Sequence, residues 1–341
     1  MSEPIRIGVL GLHHDHIWDN LKELAPLANG KLVAAADPNE PLREQVKNEY
    51  GCEVHDNYDA IVGSDQIDAV YVYASNREGA ELSVKAAEAG KHVMVEKPMA
   101  ADLAGAQAML DAAQANDVRL MINWPFAWWA QLQHAIRIAQ AGEIGRLWQV
   151  KYRAAHQGPV EMGCTKYFSD WLFDEHLDGG GALMDYCCYG SVLSRVLLGQ
   201  PASVIGMEAN LCKTELPVED NALLVLRYPN AMATSEASWT QIGKMSSYLT
   251  TIYGEEGTLL VEPRDGAGLL KATNEQEDGV EVEVPESAPE LKSASAHFLW
   301  AIETGGDLHP LCDPVNCRDS QEILELGRVA AKEKREVSLT G

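Results

Sequence analysis

No apolar run in this 341-residue chain approaches the length of a membrane span, and its first residues lack the basic region and cleavage site of a secretion signal. The chain is therefore expected to be a soluble protein, with the apolar run near Ile5 to Leu12 as a first buried strand. Positive charge is scarce: 27 lysines and arginines stand against 51 acidic residues, a formal net charge of −24. Nucleic acid and anionic membranes are recognised by basic patches, so neither is an expected partner. Paired cysteines are missing too. The seven cysteines are odd in number and irregularly spaced, with no C-x-x-C, which argues against a zinc ribbon or a disulfide framework. Reduced thiols in the cytoplasm are the expected state. Glycine is also missing where a nucleotide-binding turn wants it. In "IGVLGLHHDHIWDNL" a strand-like run reaches Gly11, but His13 and His16 stand where a G-x-G-x-x-G fingerprint carries its next two glycines.

A chain of this length favours two domains. Up to Trp124, short apolar runs ("KLVAAAD", "IDAVYVYAS", "KHVMVEKP", "VRLMINW") alternate with helix-like segments at 40–50, 78–90 and 102–115. Such alternation predicts an α/β unit with a parallel sheet and right-handed crossovers. In open sheets of this kind ligands sit beyond the carboxyl ends of the strands. Gly11, Asp37, Ser75, Asn76, Glu96, Lys97 and Asn123 each lie just after a strand and are candidates together. Pro125 ends the last strand, which puts the domain boundary at 124/125. From residue 125 to 341 the pattern changes. Alternating stretches such as "LWQVKYRAAH", "NALLVLRYP" and "AMATSEASW" predict a large, mostly antiparallel sheet, with one helix at roughly 180–198 and two that close the chain.

Three constellations carry chemistry. Asp37 follows the glycine turn at the distance where an acid hydrogen-bonds a ribose 2′-hydroxyl and repels a 2′-phosphate, favouring NAD over NADP; a helix N-cap is the equal alternative. In "EKP", Lys97 sits at a strand end, where an ammonium can hold an alkoxide, although lone lysines are more often surface charges. In "DGGGALMDYCCYG", Asp185 and Tyr189 stand at i and i+4 on one helix face. A tyrosine there can exchange a proton with a carbonyl–alcohol pair, or simply pack against a sheet.

In combination, "ASNREGAELSVKAAEAGKHVMVEKPMA" and the distant "GGGALMDYCCYGSVLSRVLLG" resemble the Gfo/Idh/MocA oxidoreductase family over most of the chain. The resemblance implies a Rossmann domain over 1–124, a C-terminal α/β domain over 125–341 with a large open sheet, and NAD(P)-dependent hydride transfer on sugars or polyols. It implies that Lys97 is the catalytic lysine and Asp185 the helix aspartate. Many members have histidine at the position of Tyr189; a branch resembling glucose–fructose oxidoreductase and dihydrodiol dehydrogenase has tyrosine, so Tyr189 is the expected acid/base. Ser75 and Gly79 depart from the usual proline and histidine.

The opening loop departs further, and three explanations compete. A metal site would use His13, His14, Asp15 and His16, but neighbours on a tight turn do not easily converge on one ion and no further ligand stands out; no metal is expected. A loop that has lost its cofactor is the second. The third is a working phosphate site in which imidazole donors assist helix-terminal N–H groups. Retention of Asp37, Asn76 and Glu96–Lys97 favours the third. The expected cofactor-binding set is Gly11, Leu12, His13, His14, Asp15, His16, Asp37, Ser75, Asn76, Glu96, Lys97 and Asn123, with Trp124, His156, Trp171 and His176 on the substrate side. The expected protein is a cytoplasmic NAD(P)-dependent oxidoreductase, with NAD favoured, of a sugar, polyol or cyclic alcohol, a homodimer or homotetramer through its C-terminal sheet. Lys97, Tyr189 and Asp185 would do the chemistry. A cofactor-free binding or regulatory protein on the same scaffold, and a glycoside hydrolase using NAD transiently, are the alternatives.

Overall fold

The computed structural model describes residues 3–262 and 268–339. The first six strands, β1 (Ile5–Leu10), β2 (Gly30–Ala36), β3 (Glu53–His55), β4 (Ala69–Val72), β5 (His92–Glu96) and β6 (Leu120–Asn123), alternate with α1 (Ile17–Leu24), α2 (Glu40–Tyr50), α3 (Asp59–Val62), α4 (Asn76–Glu88) and α5 (Leu103–Ala115). They form one parallel sheet in the order β3-β2-β1-β4-β5-β6. Helices cover both faces of such a sheet, which is why its inner strands read as unbroken apolar runs; every residue of β4 is buried. Side-chain caps start two of these helices: Ser75 accepts from the Glu78 N–H for α4, and Asp102 from the Gly105 N–H for α5.

Next come α6 (Ala130–Gln140), β7 (Leu147–Ala155), α7 (Lys166–Leu172) and α8 (Glu175–Asp178). A π-helical turn at Leu183–Cys187 runs into α9 (Cys188–Leu198). Strands β8 (Ser203–Ala209), β9 (Asn221–Arg227), β10 (Met232–Ser238), β11 (Leu249–Gly254), β12 (Thr258–Val261), β13 (Leu269–Thr273) and β14 (Gln276–Val282) follow, then α10 (Ala294–Thr304), α11 (Pro314–Glu333) and β15 (Val337–Ser338).

The chain divides into two compact units, and the division is discontinuous. Residues 164–179 and 288–318 join the first unit with the segment ending at Trp124. Sequence patterning places one boundary at 124/125; it cannot show which sheet an amphipathic helix covers. In the first unit α7 buries Phe168, Trp171 and Leu172, and the Phe298 ring of α10 lies 6.0 Å from that of Tyr71 on β4. The second unit holds a nine-stranded sheet, β14-β13-β12-β11-β7-β10-β9-β8-β15, in which β7–β10 is the parallel pair and the other pairs are antiparallel. One sheet face is packed, with Tyr152 and Trp239 among the largest fully buried side chains. Trp148, Ile205, Met207, Met232 and Leu270 stand exposed on its strands. Among the described residues no helix is long and apolar enough to cross a membrane.

Candidate active site

In the first unit the turn after β1 is built on Gly11. Its φ is +87°, and a Cβ there would lie 2.7 Å from the Ala74 nitrogen and 2.8 Å from the Tyr73 carbonyl, so backbone occupies the space of any side chain. This close approach brings the ends of β1, β2 and β4 together around Asp37, which is fully buried. Both Asp37 carboxylate oxygens are in use. Oδ2 accepts from the Leu12 N–H at 2.6 Å and bonds His13 Nδ1 at 2.9 Å; Oδ1 accepts from Asn39 N and Nδ2 at 2.7 and 2.8 Å. Burial opposes ionisation of Asp37, but the donors from His13, Leu12 and Asn39 outweigh it and hold its pKa below the ordinary value.

His13 Nε2 accepts the Ser75 N–H at 3.1 Å. Its proton is therefore assigned to Nδ1 and donated to Asp37. This differs from the expected role: with both ring nitrogens engaged inside the fold, His13 has no donor to offer a pyrophosphate. Nor does Asp37 cap α2, whose N-cap is Asn39. A cleft of about 640 Å³ opens here, lined among others by His13, Asn39, Ser75, Glu78 and Trp171. Its volume and its place beyond the strand ends fit the nucleoside end of a dinucleotide. The acid that would meet the ribose is screened by the His13 ring.

A second cluster forms at the ends of β5 and β6. His16 Nδ1 lies 2.9 Å from Glu96 Oε1, while Asn123 Nδ2 donates to Glu96 Oε2 at 2.7 Å and to Tyr73 Oη at 3.1 Å. The His14 ring is packed 4.3 Å from Phe168 and 5.7 Å from Trp171, and its Nδ1 accepts the His16 N–H at 3.3 Å. Burial pushes the His14 pKa well below the ordinary range, and the neighbouring His16, Lys97 and His13 side chains press the same way, so the ring is neutral. Lys97 is 3% exposed, and its N–H donates to the Asn123 carbonyl at 3.1 Å. One ligand atom each from His14, His16 and Glu96 lie within 4.8 Å of one another. This corrects the sequence-based objection to a metal: the further ligand exists, and the topology delivers it from β5, eighty residues away in the chain.

The other expected residues are tied to the 164–179 segment. Asn76 Nδ2 donates to Asp178 Oδ1 and O at 2.8 and 2.9 Å, and Asp15 accepts from Thr165 N and Oγ1 at 2.7 and 2.5 Å. Trp171 and His176 line the cleft. Trp124 is buried and donates to Cys317 Sγ at 3.3 Å, a packing role. Asp178 and Phe168 were not anticipated, and no local motif marks them.

In the second unit Asp185 sits in the π turn and Tyr189 at the start of α9. The last of the three glycines is explained by close approach: a Cβ on Gly181 would lie 2.5 Å from the Glu219 carbonyl oxygen. Glu219 Oε1 accepts the N–H groups of Gly181 and Leu183 at 2.8 and 2.9 Å, capping the turn. Asp185 Oδ2 accepts from Trp239 Nε1 at 3.1 Å. Tyr189 stacks on Tyr152 of β7 at 5.7 Å and on Tyr186 at 5.8 Å, with Phe126 edge-on at 4.8 Å. Tyr186 Oη meets Tyr248 Oη at 3.0 Å, and His156 lies edge-on to Tyr186 at 4.9 Å. The site around Tyr189 is thus an aromatic and phenolic cluster, of which the sequence singled out Tyr189 and His156. π turns are rare and concentrate at functional positions.

Comparison with known proteins agrees with this architecture. Residues 5–124 match the oxidoreductase family with an NAD-binding Rossmann fold, and residues 132–260 match the GFO/IDH/MocA C-terminal domain. The chain is 30% identical over 210 residues to a dTDP-3,4-didehydro-2,6-dideoxy-alpha-D-glucose 3-reductase of Saccharopolyspora spinosa, covering 62% of this chain and 61% of that one. It is 24% identical over 254 residues to a levoglucosan dehydrogenase of Pseudarthrobacter phenanthrenivorans, covering 67% and 64%. The aligned part thus spans less than two thirds of either relative. Aldose–aldose oxidoreductase from Caulobacter crescentus, solved with glycerol, shares the fold at a TM-score of 0.82 and 24% identity, covering 98% of this chain and 100% of that one. With both of its domains matched in order and the doubly wound and open sheets in place, the chain belongs to the Gfo/Idh/MocA oxidoreductase family.

Proposed function

We propose that the protein transfers a hydride between a nicotinamide dinucleotide and a sugar, polyol or related cyclic alcohol. The observation that carries this reading is the buried Lys97 at the carboxyl end of β5, in the same unit as the Gly11 turn and a nucleoside-sized cleft, in a chain of this family. Gly11, Leu12, Ser75, Asn39 and Asn123 are the residues that would hold the dinucleotide, which supplies the hydride acceptor when bound. Lys97 holds the charge developing on the substrate oxygen, Tyr189 exchanges the hydroxyl proton, and Asp185 positions Tyr189 or the substrate. Glu78 and Glu81 line the nucleoside cleft, and their negative charge there supports NAD over NADP. The odd count and irregular spacing of the cysteines support a cytoplasmic location, and the exposed apolar residues of the large sheet support a homodimer or homotetramer formed through that face. The test is absorbance at the NADH band after mixing the protein with NAD+ and a panel of pyranoses, inositols and anhydrosugars. Substrate-dependent reduction is expected, and its absence across the panel counts against the reading.

A cofactor-free binding protein is the second reading, favoured by one observation: His13 occupies the acid that a ribose would use. It predicts no saturable binding of either dinucleotide.

A further inference from the structure

We propose that His14, His16 and Glu96 bind one divalent first-row transition ion of zinc-like preference. Two imidazoles and a carboxylate are a donor set suited to zinc or its neighbours. The three ligand atoms already lie within 4.8 Å of one another. Bonds of about 2.0–2.2 Å place ligands roughly 3–4 Å apart around one ion, so side-chain adjustments of about 1 Å complete the site.

The surroundings hold the donors in place. Asn123 Nδ2 holds the far oxygen of Glu96 at 2.7 Å, which leaves Oε1 turned to His16. The His14 ring is wedged among Phe168, Trp171 and Tyr73. His14 and Glu96 are buried at 2% and 4% exposure, while the His16 side chain is 37% exposed and gives an entry path. Lys97 is close enough to oppose a cation, and the negative charge of Glu96 offsets it. His13 is excluded as a ligand because Asp37 and Ser75 take both its nitrogens. Three protein ligands leave at least one position for a water or an oxygen of a small hydroxylated or carbonyl ligand, the pattern of catalytic and not structural zinc.

The site shares the loop after Gly11 and the Asn123 side chain with the proposed dinucleotide site, but its test needs no dinucleotide. Protein stripped with a chelator is titrated with Zn2+ by calorimetry and with Co2+ by visible absorption. Wild type is expected to take up one Zn2+ per chain at micromolar affinity or tighter, and to give a Co2+ spectrum of low coordination number. His14→Gln, His16→Gln and Glu96→Gln should each weaken binding about 100-fold or more, and Asn123→Ala about 10–100-fold, the usual effect of losing an outer hydrogen-bond partner. His13→Gln should bind as wild type does. Absence of saturable uptake by wild type overturns the site, whatever the variants do. So does uptake that survives in the His14/His16/Glu96 variants, which would place the ion on surface imidazoles such as His134.

Discussion

Replacing His13 with glycine removes the ring that closes Asp37 and restores the residue usual in the turn. Two interactions are lost: the 2.9 Å bond to the Asp37 carboxylate and the cover over the Ser75 N–H at 3.1 Å. A hydrogen bond to a charged group contributes about 1.5–3 kcal/mol, and a buried donor left unpaired costs about 1–3 kcal/mol. Water reaching the cleft recovers part of the second cost, so a net loss of about 2–4 kcal/mol in folding stability is expected. Binding should move the other way. A vacated Asp37 Oδ2 accepts a ribose hydroxyl, and about 1.4 kcal/mol from that contact makes NADH binding roughly tenfold tighter. His13→Gln keeps bulk over Asp37 and should show no such gain. Urea unfolding and calorimetric titration with NADH measure the two effects on the same samples. Because the Asp37 pKa is depressed, the contribution of its hydrogen bonds is complete above the ordinary carboxylate pKa. It is lost as the pH falls through the lower folded value, so the stability gap between wild type and His13→Gly should close only in acid. NADH binding that is unchanged or weaker in His13→Gly would refute the screening argument, and unchanged stability would refute the hydrogen-bond assignment.

Lys97→Met and Tyr189→Phe should each lower turnover by about 10²–10⁴-fold while leaving NADH binding nearly intact; near-normal turnover removes the residue from the mechanism. Glu23 carries a pKa raised to about 7, by burial first and then by Asp19 and Glu96, and among the described residues its Oε2 has no hydrogen-bond partner. A raised acid favours the fold fully below its unfolded pKa, near 4.3, and that contribution is lost as pH rises through about 7. Glu23→Gln should therefore gain stability over wild type between about pH 5 and about pH 8, by about 1 kcal/mol after allowance for solvent screening, measured by urea unfolding at each pH. Met207→Glu with Met232→Glu on the exposed sheet face should yield monomers by light scattering if that face joins protomers; an unchanged mass excludes it.

Most of the first unit's elements were legible because parallel strands buried on both faces leave unbroken apolar runs: the "IDAVYVYAS" stretch contains β4, and the 40–50 segment is α2 itself. Short elements were not. β3, α3 and the four-residue β12 are too short to show a period, and β13 and β14 lie in mixed or polar sequence. The candidate residues Asp37, Glu96, Lys97 and Asn123 could be placed together because the carboxyl-end rule depends on topology alone. Their partners could not. That Asp37 bonds His13, that His16 meets Glu96, and that Asn76 is held by Asp178 are consequences of side-chain packing over long sequence separations. The helical spacing of Asp185 and Tyr189 was visible; the π turn that holds Asp185 was not, nor was the capping of Gly181 and Leu183 by Glu219 from a distant segment.

Direct titration of the wild-type protein with NADH and NADPH, followed by energy transfer from tryptophan to the reduced nicotinamide, tests the central claim most plainly. Saturable binding of NADH, tighter than that of NADPH, is the predicted result. No saturable binding of either dinucleotide up to millimolar concentration would contradict the oxidoreductase assignment and leave the cofactor-free reading in its place.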